Sequence, residues 1–334
     1  MSWSGVREWL ALLRRMPPPE GTGLSRAGAH AAKEAALDAW SEDVIARLEG
    51  MDGEPFARAS IVAVRTVFTA PLEWVALLLG RGTRVRLKVP RQAPGWGPDL
   101  FSAAKRVGLP LELHLRREAI RGSELVVAMG RDETISAIGR TLPDSVKYLG
   151  FGHRFSIAWI QSASSWPALA EDLALYDGRG CFSPAVVFTP IPLREACEGL
   201  SRALEDIETR WPRGELTPIE GARIRSRSSL ARVVGHIRRG TKHAVHGVPA
   251  AYCRPLSLPR APLVVEVRDA MDIPSIIEPF LPHLSTIGSD VHTIPEWTSG
   301  FPGVRFCPVG RMQRPSVFRL HDGVDWIRET WRCS

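Results

Sequence analysis

Cysteine is scarce in this chain, five residues in 334, and Cys181, Cys197, Cys253, Cys307 and Cys333 form an odd, scattered set with no CxxC pair. That excludes a disulfide framework and a cysteine-rich zinc site, so any special cysteine acts alone. Long apolar runs are missing too. The best candidate, residues 71–80, falls short of the roughly 18 residues a membrane span needs and contains Glu73. A membrane span is excluded and a soluble protein expected. Residues 1–19 lack the basic-then-apolar order of a secretory leader, reading instead as an amphipathic helix over 6–15 stopped by Pro17-Pro18-Pro19, so the expected location is the cytoplasm. There is no internal repeat, no low-complexity tract and no long basic block.

What is present is an ordinary globular composition, 44% hydrophobic and 24% charged, on a chain long enough for two domains. Disordered and collagen-like chains are excluded. Basic residues outnumber acidic ones, 43 to 36, for a net charge of +7. The densest groups are Arg223, Arg225 and Arg227, then Arg238, Arg239 and Lys242. A solvated helix face accounts for them, as does an attraction for phosphate-bearing ligands or an acidic carrier protein. Nucleic acid is not expected, because no recognition motif or aromatic-rich basic stripe accompanies the charge.

From residue 59 short β-branched runs alternate with amphipathic stretches, the pattern of parallel strands joined by crossover helices, so the fold class is α/β. Strands are predicted over 60–67, 83–89, 111–115, 125–129, 146–149, 157–160, 185–189, 263–267 and 304–306. Helices are predicted over 72–79, 99–107, 131–142, 166–175, 193–209, 218–236 and 324–331, with a loop rich in Gly, His and Pro up to residue 262. In that loop His236, His243 and His246 with Cys253 match no metal-ligand spacing, and solvent-exposed histidines are expected; no metal is assigned.

Cys181 lies between Gly180 and Phe182, after a glycine-rich turn and before a strand, a placement that presents a thiol as a nucleophile. A lone cysteine reads equally as a small buried hydrophobe. The segment Asp177-Gly178-Arg179-Gly180-Cys181-Phe182-Ser183-Pro184 resembles the active-site cysteine segment of the bioluminescence fatty-acid reductase (LuxC-like) family of acyl-CoA reductases, within the aldehyde dehydrogenase superfamily. Further matches follow that family's order: Met129-Gly130-Arg131-Asp132-Glu133-Thr134-Ile135, Gly150-Phe151-Gly152-His153-Arg154-Phe155-Ser156, Met312-Gln313-Arg314-Pro315 and His321-Asp322-Gly323. Upstream, Phe68-Thr69-Ala70-Pro71 and the run from Gly82 to Pro90 resemble the superfamily's Pro-Trp-Asn-x-Pro and Gly-Asn-Thr-Val-x-x-Lys-Pro-Ser segments. The likeness covers roughly residues 60–325, and the cysteine segment is its most specific part.

The resemblance implies an aldehyde dehydrogenase-like fold, with a dinucleotide-binding domain, an α/β catalytic domain and the active site in the cleft between them. The expected division is an N-terminal helical segment 1–58, a dinucleotide-binding domain 59–175, a catalytic domain 176–312 and a return segment 313–334. It further implies Lys88 at the adenosine ribose, Gly130 admitting the pyrophosphate to a helix N-terminus, and Arg131 and Thr134 beside it. Read without that context, Lys88 is a strand-end surface lysine and Gly130 a plain turn. The third residue after the lysine, often an acid in NAD-preferring relatives, is Arg91, which suits a 2′-phosphate and so NADPH, with NADH the alternative.

Departures from the superfamily are equally informative. The glutamate that activates hydrolytic water in aldehyde-oxidising members has no counterpart in Lys147-Tyr148-Leu149-Gly150, leaving an acyl-enzyme for thiol exchange or reduction. The oxyanion-holding asparagine is replaced by Thr69, with the Cys181 backbone N–H as the other donor. His153 is a candidate acid or thioester-binding donor, and reads equally as a capping or supporting residue. The Glu-x-Phe-Gly-Pro segment of relatives has no clear counterpart, Glu266 being a distant suggestion. The expected activity is NADPH-dependent reduction of an acyl thioester, on CoA or an acidic acyl-carrier protein, to an aldehyde through a cysteinyl thioester. The alternative is a catalytically degenerate scaffold subunit; a homo-oligomer is compatible with either.

Overall fold

The computed structural model describes residues 2–64, 66–91, 95–291, 296–301 and 303–332. They divide into two compact units, the first comprising Met1–Thr22, Ala32–His153 and Ser316–Ser334, the second Gly23–Ala31 and Arg154–Pro315.

In the first unit, after the two-residue strand β1 (Glu54–Pro55), come β2 (Arg58–Val62), β3 (Arg84–Lys88), β4 (Leu111–His114), β5 (Leu125–Met129) and β6 (Lys147–Phe151). β2 to β6 form a parallel sheet in the order β4-β3-β2-β5-β6. Its centre is apolar on both faces, as a sheet covered by crossover helices requires: Ile61 pairs with Leu87 and Val127, all fully buried. The crossovers are Ala70–Gly80, Gly97–Arg106 and Asp132–Gly139. Because the chain moves outward from β2 to β4 and then returns to β5 on the other side, the strand order reverses between β2 and β5. Such reversals open a crevice at the strands' carboxyl ends where ligands of α/β sheets bind.

The first unit's C-terminal stretch is held by a charged cluster. Arg319 places one nitrogen 2.9 Å from both Glu73 oxygens, and His321 Nδ1 lies 3.3 Å from Glu73 Oε1. Burial opposes ionisation of Glu73, but Arg319 and then His321 outweigh it and pull the carboxyl down to about 2. Trp326 packs edge-on against Trp74, with centroids 4.9 Å apart.

The second unit contains β7 (Phe155–Trp159), β8 (Pro184–Thr189), β9 (His236–Arg239), β10 (Ala244–Gly247), β11 (Leu263–Glu266), β12 (Leu284–Ser289) and β13 (Arg305–Pro308), in the order β13-β12-β7-β8-β11-β10-β9. All pairs are parallel except β9 with β10. Alternation along the strands separates two cores. Val186, Val265 and Ile287 face one, with Ile273 and Ile277; Val187 and Val264 face the other, under helices Trp166–Ala174 and Leu193–Arg210. Helix Pro218–Val234 begins with Pro218 behind a reciprocal capping box of Thr217 and Glu220. Returning to the first unit, β14 (Trp331–Arg332) pairs antiparallel with β1.

Several expectations are corrected. The strand expected over 60–67 is Arg58–Val62. The stretch expected as a loop up to residue 262 contains β9 and β10, whose polar residues His236-Ile237-Arg238-Arg239 sit on a sheet edge where apolar alternation is not required. His243 and His246 are buried, not exposed: Ser201 Oγ lies 2.7 Å from His243 Nε2 and Ser228 Oγ 2.9 Å from His246 Nε2. Burial, with Arg227 adding to it, drives His246 down to about 3. β12 had no sequence counterpart. The units part at 153/154, upstream of the expected 175/176, because β7 hydrogen-bonds to β8 and β12.

Candidate active site

The thiol of Cys181 is exposed, whereas the other three described cysteines are not. Burial pushes Cys197 and Cys253 up to about 12 and Cys307 to about 11, so these stay protonated at neutral pH. A thiolate nucleophile needs the opposite surroundings, which leaves Cys181 as the candidate among the described cysteines.

The loop carrying it is fixed from below. Asp177 adopts φ 54° and Gly178 φ 72° to turn the chain after helix Trp166–Ala174. Only glycine suits the second position, since a Cβ there would lie 2.8 Å from the Leu258 carbonyl oxygen. Asp177 is buried and its carboxylate accepts from Arg260 Nε at 2.8 Å and Gly214 N–H at 2.9 Å. Arg260 is fully buried and also donates to Glu208, at 2.6 Å. Burial raises the Asp177 carboxyl and the Arg260 charge opposes that rise, as expected where an ion pair is sealed off from water. Arg179 reaches Glu220 at 2.8 Å and the Glu215 carbonyl at 2.6 Å.

Immediately around the thiol, Ser156 Oγ on β7 donates to the Cys181 carbonyl at 2.6 Å. The Gln313 amide donates to Ser183 Oγ at 2.5 Å and to the Asp172 carbonyl at 3.1 Å. Asp172 in turn accepts backbone N–H groups of Gly310 (2.5 Å) and Met312 (3.0 Å), while burial raises its carboxyl to about 7 against their pull. The Arg305 guanidinium lies over the Phe182 ring, 4.7 Å from its centroid, and donates to the Met312 carbonyl. Thus the Met312-Gln313 segment is tied to the cysteine segment. Asp172, Arg260 and Arg305 were not singled out in the sequence, and Ser156 entered only as the last residue of a family-like segment. The partners of Asp172 and Arg260 lie far away in the chain, and no local pattern marks them.

The remaining candidates belong to the first unit. Lys88, half-buried, ends β3; Arg91, exposed, follows it. Thr69 is buried at the N-cap of helix Ala70–Gly80. Gly130 ends the run from β5, Arg131 is the exposed N-cap of helix Asp132–Gly139, and Thr134 lies in its first turn. His153 is exposed, and its backbone N–H donates to Asp132 Oδ1 at 2.9 Å, tying the end of β6 to that turn. All of these follow the carboxyl ends of strands in the same parallel sheet. Glu266 is engaged otherwise: its carboxylate caps helix Leu193–Arg210 by accepting from Leu193 N–H at 2.8 Å. Lys147 pairs with Glu329 at 2.6 Å, and no carboxylate side chain occupies 147–151.

The turn after β5 fits a dinucleotide's pyrophosphate. A Cβ on Gly130 would meet only Val64 Cγ1, 4.0 Å away, so the backbone lies open at the carboxyl end of the sheet.

Solved structures share this architecture. The chain is similar to methylmalonate-semialdehyde dehydrogenase from Oceanimonas doudoroffii, with a TM-score of 0.72 and 13% identity over 95% of this chain and 78% of that one. It is similar to the indole-3-acetaldehyde dehydrogenase of P. syringae, solved with NAD+, with a TM-score of 0.71 and 10% identity over 92% and 76%. It is also similar to the NADP-dependent glyceraldehyde-3-phosphate dehydrogenase from Bacillus halodurans, solved with NADP, with a TM-score of 0.67 and 13% identity over 92% and 78%. No match was found among curated proteins. The fold is that of the aldehyde dehydrogenases. Residues 112–332 match the family described as Acyl-CoA reductase (LuxC), and the chain belongs to that family. Its activity is the reduction of acyl thioesters. Among the described residues no helix is long and apolar enough to cross a membrane.

Proposed function

We propose that this enzyme uses NADPH and forms a covalent thioester on Cys181. The observation that carries the reading is the exposed thiol on a loop fixed by a buried ion pair, while the other described thiols are buried or half-buried and protonated. The Cys181 thiolate attacks the thioester carbonyl and its backbone N–H steadies the oxyanion; the C–S bond to CoA or a carrier-protein thiol breaks, and the departing thiolate takes its proton from solvent. Thr69 and His153 serve as donors to the substrate. A nicotinamide, when bound, would supply hydride, and the acyl carbonyl held on Cys181 would take it up to give a thiohemiacetal alkoxide. Collapse of that adduct returns the Cys181 thiolate and releases the aldehyde. With no carboxylate side chain in 147–151, the acyl-enzyme lacks the base that hydrolysis would need.

For the dinucleotide, Gly130, Arg131 and Thr134 receive the pyrophosphate, Lys88 the adenosine ribose and Arg91 the 2′-phosphate, which favours NADPH over NADH. The net charge of +7 favours the phosphates of CoA or an acidic carrier protein as the thiol partner.

The test follows NADPH oxidation and aldehyde formation with acyl-CoA thioesters in the wild type, Cys181→Ala and Arg91→Ala. The expected result is aldehyde production abolished in Cys181→Ala. Arg91→Ala should raise KM for NADPH by about tenfold, as loss of a charge-assisted phosphate contact implies, with little change for NADH. Turnover by Cys181→Ala at the wild-type rate contradicts the reading.

A further inference from the structure

The arginines clustered at 223–227 and 238–242 take no part in the reaction above. Four of these six basic residues fall into two groups. Arg227 turns inward and donates to the carbonyls of Ala261 at 3.0 Å and Leu256 at 2.8 Å. Arg225, Arg239 and Lys242 instead line, with Arg213, a cavity of about 220 Å³ whose apolar wall includes Ile224 and Pro259. None of the residues lining it is acidic, and Cys181 is not among them.

Two polar atoms in this wall lack hydrogen-bond partners. They are the buried Nε of Arg213 and Nδ1 of His243, whose side chain is 1% exposed and lies 3.5 Å from Glu205 Oε2. Four cationic side chains line the cavity; Glu208 lies 3.7 Å from Lys242 and Glu205 3.5 Å from His243, and the cations outnumber these two acids, an excess that an anion neutralises. Guanidinium groups match phosphate oxygens two at a time, which favours phosphate over a point charge such as chloride. The volume is below the roughly 300–1,000 Å³ of pockets that engulf a whole drug-sized ligand, so it suits one phosphate group and not an entire nucleotide.

We propose that this cavity binds a phosphate group at a site separate from the reactive cysteine. Arg225 and Arg239 grip the phosphate oxygens, and Lys242 and Arg213 add charge. The phosphate comes either from the ester of a CoA-type thioester or from a free phosphate.

Calorimetric titration with inorganic phosphate, at an ionic strength held constant with chloride, tests the site. Saturable binding to the wild type is expected, weakened about tenfold or more in Arg225→Gln/Arg239→Gln and in Lys242→Gln. The Cys181→Ala protein should bind as the wild type does, which separates this inference from the assignment of the nucleophile. Competition then identifies the source. Displacement of phosphate by CoA but not by dephospho-CoA supports the ester, and displacement by neither supports free phosphate. The absence of saturable binding to the wild type, or equal binding by the charge-removed variants, overturns the proposal.

Discussion

At the scale of residues, the loop that carries Cys181 is held by charged groups buried beneath it. Arg260 neutralises Asp177 and Glu208 beneath the thiol loop, so Arg260→Met leaves two carboxylates facing a buried apolar side chain. Breaking such a pair costs about 3–5 kcal/mol, and urea unfolding should show a loss of that size. Gly178→Ala, forced into φ 72° against the Leu258 carbonyl, should cost about 1–3 kcal/mol in the same measurement. The cysteine itself was legible, because its flanking glycines and the family-like segment are contiguous. Its supports were not. Arg260 sits 83 positions from Asp177, and an arginine fully withdrawn from water has no local signature.

At the scale of elements, legibility follows burial on both faces. β5, Leu125–Met129, is buried throughout and its apolar run announces it; so does β8. β12 reads Leu-Ser-Thr-Ile-Gly-Ser and is equally buried, but its small polar residues hide it between β7 and β13. β9 is an edge strand and carries charge where a central strand carries valine. Helix Pro218–Val234 buries only Ser228 and Ala231 along its length, so its ends matter more than its face. Thr217→Ala removes the capping box and should lower stability by about 1 kcal/mol, read as a shifted midpoint in thermal unfolding.

At the scale of the molecule, the match over residues 112–332 makes the chain a member of the acyl-CoA reductase (LuxC) family, on the fold of the aldehyde dehydrogenases. Its acid limit has a specific source. The Glu73 carboxyl, near 4.5 in an unfolded chain and about 2 when folded, contributes stability that is fully present above pH 4.5 and lost as pH falls toward 2. The contribution is on the order of 3 kcal/mol. Glu73→Gln should therefore flatten the dependence of stability on pH between 4.5 and 2, as followed by circular dichroism in urea at a series of pH values.

The central claim is that Cys181 carries the acyl group. Incubation with an acyl-CoA in the absence of any nicotinamide, followed by acid quench, proteolysis and mass spectrometry, reads this directly. An acyl adduct on the peptide containing Cys181, absent from Cys181→Ala, is the expected result. An adduct on another cysteine, or no adduct on Cys181 in protein that reduces the same acyl-CoA once NADPH is added, would contradict it.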